Sequence, residues 1–518
     1  MARRTSSLQP RDIWLFLVAL IPFAVLAAIH WDWKAPSGYG DHAQYLAHAK
    51  AIAEGRSYTD IGYIYHPAAP MIGPRAYPPG LPLTLAPIVA LAGTDSPWNR
   101  VLMLASLVLF AWLAFRRLAI ALAPWQAALA AGFTALALES RLATIAPMSD
   151  LGFCALLWAL ILAGDTQHTW TWKRIALVTA LGFATMAYRV PGVVVVPAVA
   201  LYALFTWREH RGRKLIPVAI WSLTGIAVLA AGIVELPFSA YLLPRLGEIG
   251  DRFTSMARVY KSAVFDGQLY PFGQPLLNDA YHLVASSAVL AGTLVLLWRY
   301  RHSMMAATCL MYGAMLVASP VSDGRYAWPL YPLLAAGLVL STTAASRFVA
   351  RHVAWYRRPA SVAAGILVLI LVLGAWQESR VTPPRPLYAL PKAHELFAWI
   401  KEENARAPMR AIFVNPRLLA LETGVPAMGA LGASPAMQLD AMRERRISHV
   451  VTQLEDVTTC RARLLNAMPR FFPDNFVLEF RNGTFEVYRF KPFDGPAPPE
   501  SAVPPEEVRA ICAGLMRA

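Results

Sequence analysis

The amino-acid sequence predicts a mainly α-helical, polytopic membrane protein with a small C-terminal soluble α/β domain. Three observations support this fold class. The 518 residues are 57% hydrophobic and only 15% charged, which is too apolar for a soluble protein of this length. Apolar runs long enough to span a bilayer recur between residues 13 and 377. A Pro-rich linker at residues 382–386 then leads into a segment of soluble composition.

The charged and sulfur-containing residues exclude two classes of protein. The net charge is +15, but the basic residues lie in short clusters between apolar runs, which argues against nucleic-acid binding. The four cysteines show no CxxC spacing, so the sequence predicts neither a metal site nor another cofactor.

The first apolar run, from Ile13 to Ile29, is predicted to be a transmembrane helix with its N-terminus in the cytoplasm. Arg3, Arg4 and Arg11 precede it, and the run is longer than the apolar region of a typical signal peptide. The aromatic residues that follow are typical of an interfacial anchor rather than a cleavage site.

Ten further apolar runs predict more crossings, at residues 98–118, 121–138, 149–164, 174–188, 191–207, 215–236, 279–298, 303–319, 326–344 and 360–377. This threading puts the basic clusters at 116–117, 173–174, 208–214, 299–301 and 347–358 on the cytoplasmic side, as the positive-inside rule requires. Residues 82–92 are too few to cross completely, so we predict a re-entrant or juxtamembrane piece there. In total we expect about 11–13 transmembrane helices.

These crossings divide the chain into a transmembrane domain, residues 1–378, and an extracytoplasmic domain, residues 379–518. The predicted location is a bacterial inner membrane, with the C-terminus on the outer side. Two long outer loops, residues 31–97 and 237–278, are rich in charged and aromatic residues. Loops held by a rigid scaffold are where functional sites are often built.

The C-terminal domain shows the pattern of a small α/β fold. We predict a helix at residues 394–403, buried strands at 411–415 and 447–452, and a hairpin over 476–490 that turns at Asn482-Gly483. Cys460 and Cys512 both lie in this domain, and an oxidising compartment would allow them to pair. The sequence leaves that pairing open.

The first outer loop carries the strongest candidates for chemistry. Asp41 directly precedes an amphipathic helix that contains Tyr45. Asp41 is either only the N-cap of that helix or a general base near the membrane surface, where burial would tune its pKa. Farther along, a Pro-rich stretch contains His66, Arg75 and Tyr77. It is either a stiff return to the bilayer or a wall that holds substrate.

Polar residues also stand at the outer ends of predicted helices, namely Asp150, Arg189 and Arg325-Tyr326. The fork of an outward arginine suits a phosphate, but the alternative is an ion pair with Asp150 or Asp323. In the second loop, Arg258 and Lys261 offer anion-binding charge, although an amphipathic surface helix would show the same pattern.

The order of these features resembles the GT-C superfamily of membrane glycosyltransferases, and in particular the protein O-mannosyltransferases and the family that adds aminoarabinose to lipid A. The resemblance covers nearly the whole chain. The matching pieces are Asp41 and Tyr45 with Gly55, Tyr77-Pro78-Pro79-Gly80, Arg141 with Ser149-Asp150, Arg189-Val190-Pro191-Gly192, Arg325-Tyr326 with Pro329, and the C-terminal domain with Trp399-Ile400.

The resemblance implies an inverting transferase that moves a sugar from a polyprenyl-phosphate donor to a lipid, glycan or protein acceptor at the outer face. Asp41 would be the general base, and Arg325 with Arg189 would bind the donor phosphate. The resemblance implies that a further set of residues contacts substrate, namely Tyr45, His66, Arg75, Tyr77, Asp150, Tyr326, Arg258 and Lys261. His42 stands where relatives often have a second acidic residue, so no metal is predicted.

Two other functions remain open at this stage. A transporter or flippase of lipid-linked substrates would favour internal repeats and charges in the middle of spans, and the sequence shows neither pattern. An O-antigen ligase-type enzyme would also use lipid-linked substrates. The sequence does not define the sugar, the acceptor or the number of subunits.

Overall fold

The structure of the chain is a computed structural model. It describes residues 9–31, 40–68, 73–136, 147–165, 170–207, 213–230, 275–318, 324–353, 358–380, 387–431, 434–455, 457, 459–493, 503 and 505–513. These residues form two compact units. One comprises Met1–Trp33 with Arg100–Thr382, and the other comprises Lys34–Asn99 with Pro383–Ala518.

The first unit is a bundle of apolar helices. Its helices are α1 (Pro10–Ile29), α4 (Trp98–Ala121, which begins at the division between the units), α5 (Pro124–Leu136), α6 (Ser149–Asp165), α7 (Trp172–Tyr188), α8 (Val195–Phe205), α9 (Leu215–Ala230), α10 (Pro275–Arg299), α11 (Met304–Ala318), α12 (Tyr331–His352) and α13 (Pro359–Ser379). Short 3-10 helices, Val190–Val194 and Gly324–Leu330, lead into α8 and α12. A helix therefore occupies each of the eleven apolar runs predicted from the sequence.

Among the residues that the structure describes, four helical segments are long and apolar enough to cross a membrane, namely Pro10–Ile29, Trp98–Ala121, Arg325–His352 and Pro359–Ser379. Five further apolar helices are shorter. The chain is thus a polytopic membrane protein, and its exact number of crossings stays a prediction. The second predicted outer loop, residues 237–278, lies almost entirely outside the described residues. Arg258 and Lys261 are among the residues not described.

Small residues allow two helices of this bundle to pack closely. A Cβ atom added at Gly292 of α10 would overlap the backbone carbonyl oxygen of Gly337 in α12. Beside it, the Ser341 hydroxyl donates to the Ala288 carbonyl at 2.5 Å. Such contacts between small residues are a main source of helix association within membranes, where lipid tails give no hydrophobic drive.

We expect Gly292→Ala to destabilise the bundle by about 1–3 kcal/mol, because the added methyl must push α10 and α12 apart. The measurement is the thermal unfolding midpoint of the detergent-purified protein. Gly313→Ala in α11 is the matched control, since a Cβ there meets no atom within 4 Å. Equal midpoints for the two variants would contradict this account of the packing.

A buried ion pair joins other helices of the first unit. Arg117 Nε of α4 lies 2.5 Å from Asp165 Oδ2 at the end of α6. The Asp165 carboxylate also accepts hydrogen bonds from the backbone N–H groups of Met304 and Met305 at the start of α11. One carboxylate therefore neutralises an arginine and satisfies N–H groups that a helix start leaves without an intrahelical partner.

The second unit is an α/β fold. Its helices are α2 (Asp41–Ala53), α3 (Gly80–Ala92), α14 (Pro391–Arg406), α15 (Pro416–Thr423), α16 (Pro435–Glu444), α17 (Cys460–Phe471) and α18 (Pro505–Ala513). Its strands are β1 (Tyr63–Ile64), β2 (Ala411–Phe413), β3 (Ala427–Gly429), β4 (His449–Gln453), β5 (Phe476–Arg481) and β6 (Phe485–Phe490). They form one sheet in the order β1-β3-β2-β4-β6-β5.

Strand pairing shows why the units differ from the predicted domains. The prediction assigns residues 31–97 to the transmembrane domain, but β1 pairs in parallel with β3, so that Tyr63 lies opposite Ala427. The first loop thus contributes an edge strand to the C-terminal sheet. The predicted break near residue 378 falls close to the observed division at Thr382. α3 has 13 residues, about 20 Å of helix, which is shorter than a hydrocarbon core of about 30 Å.

Several predictions for the C-terminal domain are confirmed. The predicted strands are found as β2 and β4, and the hairpin of β5 and β6 turns at Gly483 with φ 84°. Ile412, Val450, Leu465 and other apolar side chains form the core between sheet and helices. Cys460 and Cys512, 52 residues apart, form a disulfide that joins α17 to α18.

Candidate active site

Asp41 occupies the first helical position of α2. Gly40, with φ 66°, is the N-cap residue, so the alternative that Asp41 only caps the helix is wrong. The Gly40 N–H donates to Asn415 Oδ1 at 3.2 Å, which ties the start of α2 to the loop after β2. Both residues belong to the second unit. The Asp41 carboxylate is therefore held at a defined point of the α/β fold.

Two donors converge on one oxygen of this carboxylate. The Tyr77 hydroxyl donates to Asp41 Oδ1, and Arg417 Nη1 lies 2.8 Å from the same oxygen. Arg417 Nη1 also donates to Tyr77 Oη at 2.9 Å. The Arg417 side chain is 4% exposed, whereas that of Asp41 is 42% exposed. The sequence led us to expect a buried Asp41. Its carboxylate is instead partly exposed and forms an ion pair with a buried arginine.

Aromatic rings surround the Arg417 guanidinium. Its Cζ atom lies 5.4 Å from the centroid of Tyr63 and 5.2 Å from that of Tyr77, within the range of cation–π attraction. Tyr45 packs edge-on against Tyr77 with 5.2 Å between ring centroids. The predicted residues Asp41, Tyr45 and Tyr77 therefore do lie together, and the rings fix the arginine in place.

Burial keeps two groups of this cluster neutral. Burial raises the pKa of Tyr77 well above its ordinary value, so the phenol keeps the proton that it donates to Asp41. Behind it, the Tyr58 hydroxyl donates to the Tyr77 carbonyl at 2.8 Å. His48 Nδ1–H donates to the Tyr58 carbonyl at 2.7 Å, and burial lowers the pKa of His48 to about 4.

The His48 environment predicts loss of stability in acid. Its pKa falls from an ordinary 6.5 to about 4 on folding, so below pH 6.5 the unfolded chain binds a proton that the folded chain does not. We expect the free energy of unfolding to fall by up to about 3 kcal/mol as the pH drops from 7 to 4.

Thermal unfolding of the detergent-purified protein at several pH values measures this effect. His48→Gln should flatten the pH dependence between pH 4 and 6.5, whereas the exposed His394→Gln should leave it as in the native protein. An unchanged slope in His48→Gln would refute the assignment.

Two other predicted residues of the first loop lie in different surroundings. His66 Nε2 is 3.8 Å from Glu444 Oε2, and its Nδ1 accepts from the Ala68 N–H at 3.1 Å. Arg75 is exposed in the 3-10 helix Pro74–Ala76. Contact of these two side chains with substrate stays a prediction.

The first unit holds a separate polar cluster. Arg189, which follows α7, forms an ion pair with the buried Asp150 in the first turn of α6. The Arg189 Cζ atom also lies 4.6 Å from the Tyr326 ring centroid. The ion-pair alternative is therefore confirmed for Arg189, and its predicted role in phosphate binding is not tested by this contact.

Arg325 lies in the 3-10 helix Gly324–Leu330. Its Nη1 is 3.7 Å from the Met148 sulfur. Asp323, its predicted ion-pair partner, lies outside the described residues, as does Arg141. Within the part of the chain that is described, no group of three or more His, Cys, Asp or Glu side chains could hold a metal ion.

Sequence reasoning missed Arg417, Tyr63 and His48. Arg417 stands 376 residues from Asp41, in the first turn of α15 after the short strand β2. The available signal was weak: a basic residue just after Asn415-Pro416, at the carboxyl end of a buried strand, where parallel sheets commonly bind ligands. Tyr63 was missed because β1 has only two residues.

Comparison with known proteins gives a fold and no close relative. No family model and no curated protein matches the sequence. One similar solved structure is that of ArnT from Cupriavidus metallidurans bound to undecaprenyl phosphate, with 14% sequence identity to this chain. The match covers 95% of this chain and 100% of that chain, and its TM-score is 0.52. Another is the archaeal oligosaccharyltransferase AglB from Archaeoglobus fulgidus in complex with an inhibitory peptide and a dolichol-phosphate, with 13% sequence identity. This match covers 94% of this chain and 75% of that chain, and its TM-score is 0.55.

These similarities extend over almost the whole chain and therefore define its fold. The protein has a GT-C-like fold, as the order of motifs in the sequence predicts. At such low identity the comparison carries the fold, and activity has to be argued from the residues of this chain.

Proposed function

We propose that the protein is an inverting glycosyltransferase that moves a sugar from a polyprenyl-phosphate donor to an acceptor hydroxyl at the outer face of the membrane. The observation that carries the proposal is the Asp41 carboxylate, held by Tyr77 and Arg417 on a GT-C-like fold. The similar structures contain undecaprenyl phosphate or a dolichol-phosphate, which supports a lipid-linked donor.

In the proposed reaction, the Asp41 carboxylate takes the proton from the acceptor hydroxyl. The acceptor oxygen forms a bond to the anomeric carbon, while the bond from that carbon to the donor phosphate oxygen breaks with its electron pair. Attack opposite the leaving group inverts the anomeric centre. The products are a glycosylated acceptor, a polyprenyl phosphate and a proton on Asp41.

Tyr77 and Arg417 act in this scheme as positioning residues. Both donate to Oδ1 of Asp41, so they fix the orientation of the carboxylate toward the acceptor. The buried guanidinium also stabilises the negative charge on Asp41 before the proton arrives.

The leaving phosphate requires a cation, and Arg325 and Arg189 of the first unit are proposed for this role. Asp150 and the Tyr326 ring contact Arg189 from two directions, which would fix the orientation of its guanidinium before the donor binds. The disulfide between Cys460 and Cys512 suits an oxidising compartment and supports an outer location for the second unit.

The test is the transfer of radiolabelled sugar from a panel of polyprenyl-phosphate donors in membranes with and without this chain. We expect chain-dependent incorporation into the lipid, glycan or protein fraction. Failure of every donor in the panel, with the chain present and folded, would contradict the proposal and favour a transporter.

A further inference from the structure

The strand order of the second unit creates a topological switch point at one end of the sheet. From β2 the chain passes through α15 to β3 on one side, and from β3 it passes through α16 to β4 on the other side of β2. The connections after β2 and β4 therefore leave in opposite directions. In open α/β sheets, ligands bind outside the carboxyl ends of the strands at such a switch point.

Two arginines lie at this switch point. Arg417 follows β2 in the first turn of α15, and Arg461 lies in the first turn of α17, the helix that follows β4. Because β2 and β4 are parallel neighbours, both helix starts lie at the same edge of the sheet. Tyr63 of β1 packs under the Arg417 guanidinium.

The two arginines at this edge differ in their partners. Arg417 is paired with Asp41, whereas no ion pair or hydrogen bond of the Arg461 guanidinium occurs among the described residues. Burial and then the neighbouring Arg417 charge lower the pKa of Arg461, which places the two like charges within reach of each other. An added anion would offset the repulsion between these two like charges.

We propose that the crevice at the carboxyl ends of β2 and β4 is an anion-binding subsite, in which Arg461 and Arg417 bind a phosphate or carboxylate group of the acceptor. The fork of a guanidinium matches both anions. The N–H groups at the start of α17, whose N-cap Thr459 accepts from Ala462 N–H, add to the positive potential.

The assignment to the acceptor, rather than to the donor, rests on the proposed function. In an inverting displacement the base and the leaving phosphate act on opposite faces of the anomeric carbon. Arg417 lies 2.8 Å from the proposed base, so its crevice is on the side of the nucleophile. The acceptor would thus be held by its anionic group while its hydroxyl faces Asp41.

Equilibrium dialysis tests the subsite without any reaction. The full chain in detergent is dialysed against labelled orthophosphate, and separately against labelled acetate, at constant ionic strength. We expect Arg461→Gln to weaken binding of one of these anions by about tenfold or more, and Arg461→Lys to have an intermediate effect because it keeps charge but loses the fork. The preferred anion distinguishes phosphate from carboxylate.

Two matched variants control this measurement. Arg470→Gln, which removes an exposed charge from the same helix, should bind as the native chain does. Arg406→Gln, which removes an exposed charge from α14 of the same unit, should likewise keep the binding that Arg461→Gln loses. Native affinity for both anions in folded Arg461→Gln and Arg461→Lys, or no binding to the native chain, would overturn the proposal.

A kinetic experiment tests the assignment to the acceptor. Transfer is compared for acceptor sugars that carry a phosphate, a carboxylate or neither group. We expect Arg461→Gln to raise KM about tenfold for one charged acceptor and to leave the neutral acceptor unchanged. Equal KM changes for all acceptors would overturn the assignment.

The two proposals fail in different ways. If no donor supports transfer, the proposed function fails, while dialysis still decides whether the crevice binds an anion. If transfer occurs and depends on Asp41, but Arg461→Gln binds anions and acceptors as the native chain does, the subsite fails and the proposed function stands.

Discussion

Replacing Asp41 with asparagine is expected to lower the rate of sugar transfer by about 10²–10⁴-fold, because the amide has no basic oxygen to take the acceptor proton. The substitution preserves the shape of the side chain. Its Oδ1 can still accept hydrogen bonds from Tyr77 and Arg417, as the carboxylate does. The loss should therefore appear in kcat, with the protein folded.

Asp60→Asn provides the matched control for this variant. Asp60 lies in the same loop and pairs with Arg56 at 3.1 Å on the surface, so we expect its removal to leave transfer within about twofold of native, as for most exposed ion pairs. The measurement is transfer of labelled sugar at saturating donor, normalised to folded protein. Normal transfer by Asp41→Asn would remove this residue from the mechanism.

Replacing Arg417 with methionine is expected to lower kcat by about 10–100-fold, because the Asp41 carboxylate loses the contact that orients it toward the acceptor. Methionine fills much of the buried volume between Tyr63 and Tyr77 but cannot orient the Asp41 carboxylate. KM for the donor should change little, because Arg417 is proposed to contact Asp41 and the acceptor rather than the donor.

Arg417→Lys should recover part of the lost rate, because lysine restores the positive charge but not the planar guanidinium, whose Nη1 donates to both Asp41 and Tyr77. The exposed Arg406→Gln controls for the loss of one positive charge. A merely structural role for Arg417 would lower the unfolding midpoint and the amount of active protein, with kcat per folded molecule unchanged. That pattern would contradict its assignment as a positioning residue.

The helical part of the fold was predictable because a bilayer constrains sequence strongly. A crossing helix needs about 20 apolar residues, and its basic flanks report its orientation, so the runs that contain α1, α4 and α13 stand out without any structure. Boundaries were less accurate where proline intervenes. The run predicted to begin at residue 191 opens with the 3-10 helix Val190–Val194 before α8.

The candidate site was predictable only in part. Asp41, Tyr45 and Tyr77 were found because they follow one another in a single loop and match the order of a known family. Arg417 was not, because parallel strand pairing brings residues together that are far apart in sequence. The same pairing of β1 with β3 explains why the first loop belongs to the compact unit that contains the C-terminal strands.

Arg189 illustrates a different limit. The sequence indicated that an arginine at the outer end of a helix must be paired or used, and the ion pair with Asp150 shows the pairing. The same geometry is compatible with phosphate binding. A guanidinium has five N–H donors, so one that pairs with a carboxylate on one side can still donate to a phosphate on the other.

The most direct test of the central claim is product analysis with the purified chain in liposomes that contain a polyprenyl-phosphate sugar and an acceptor. The account predicts one polyprenyl phosphate released for each sugar transferred, and a new glycosidic bond whose anomeric configuration is opposite to that of the donor. Passage of the intact donor across the bilayer without bond cleavage, or a product with retained configuration, would contradict it.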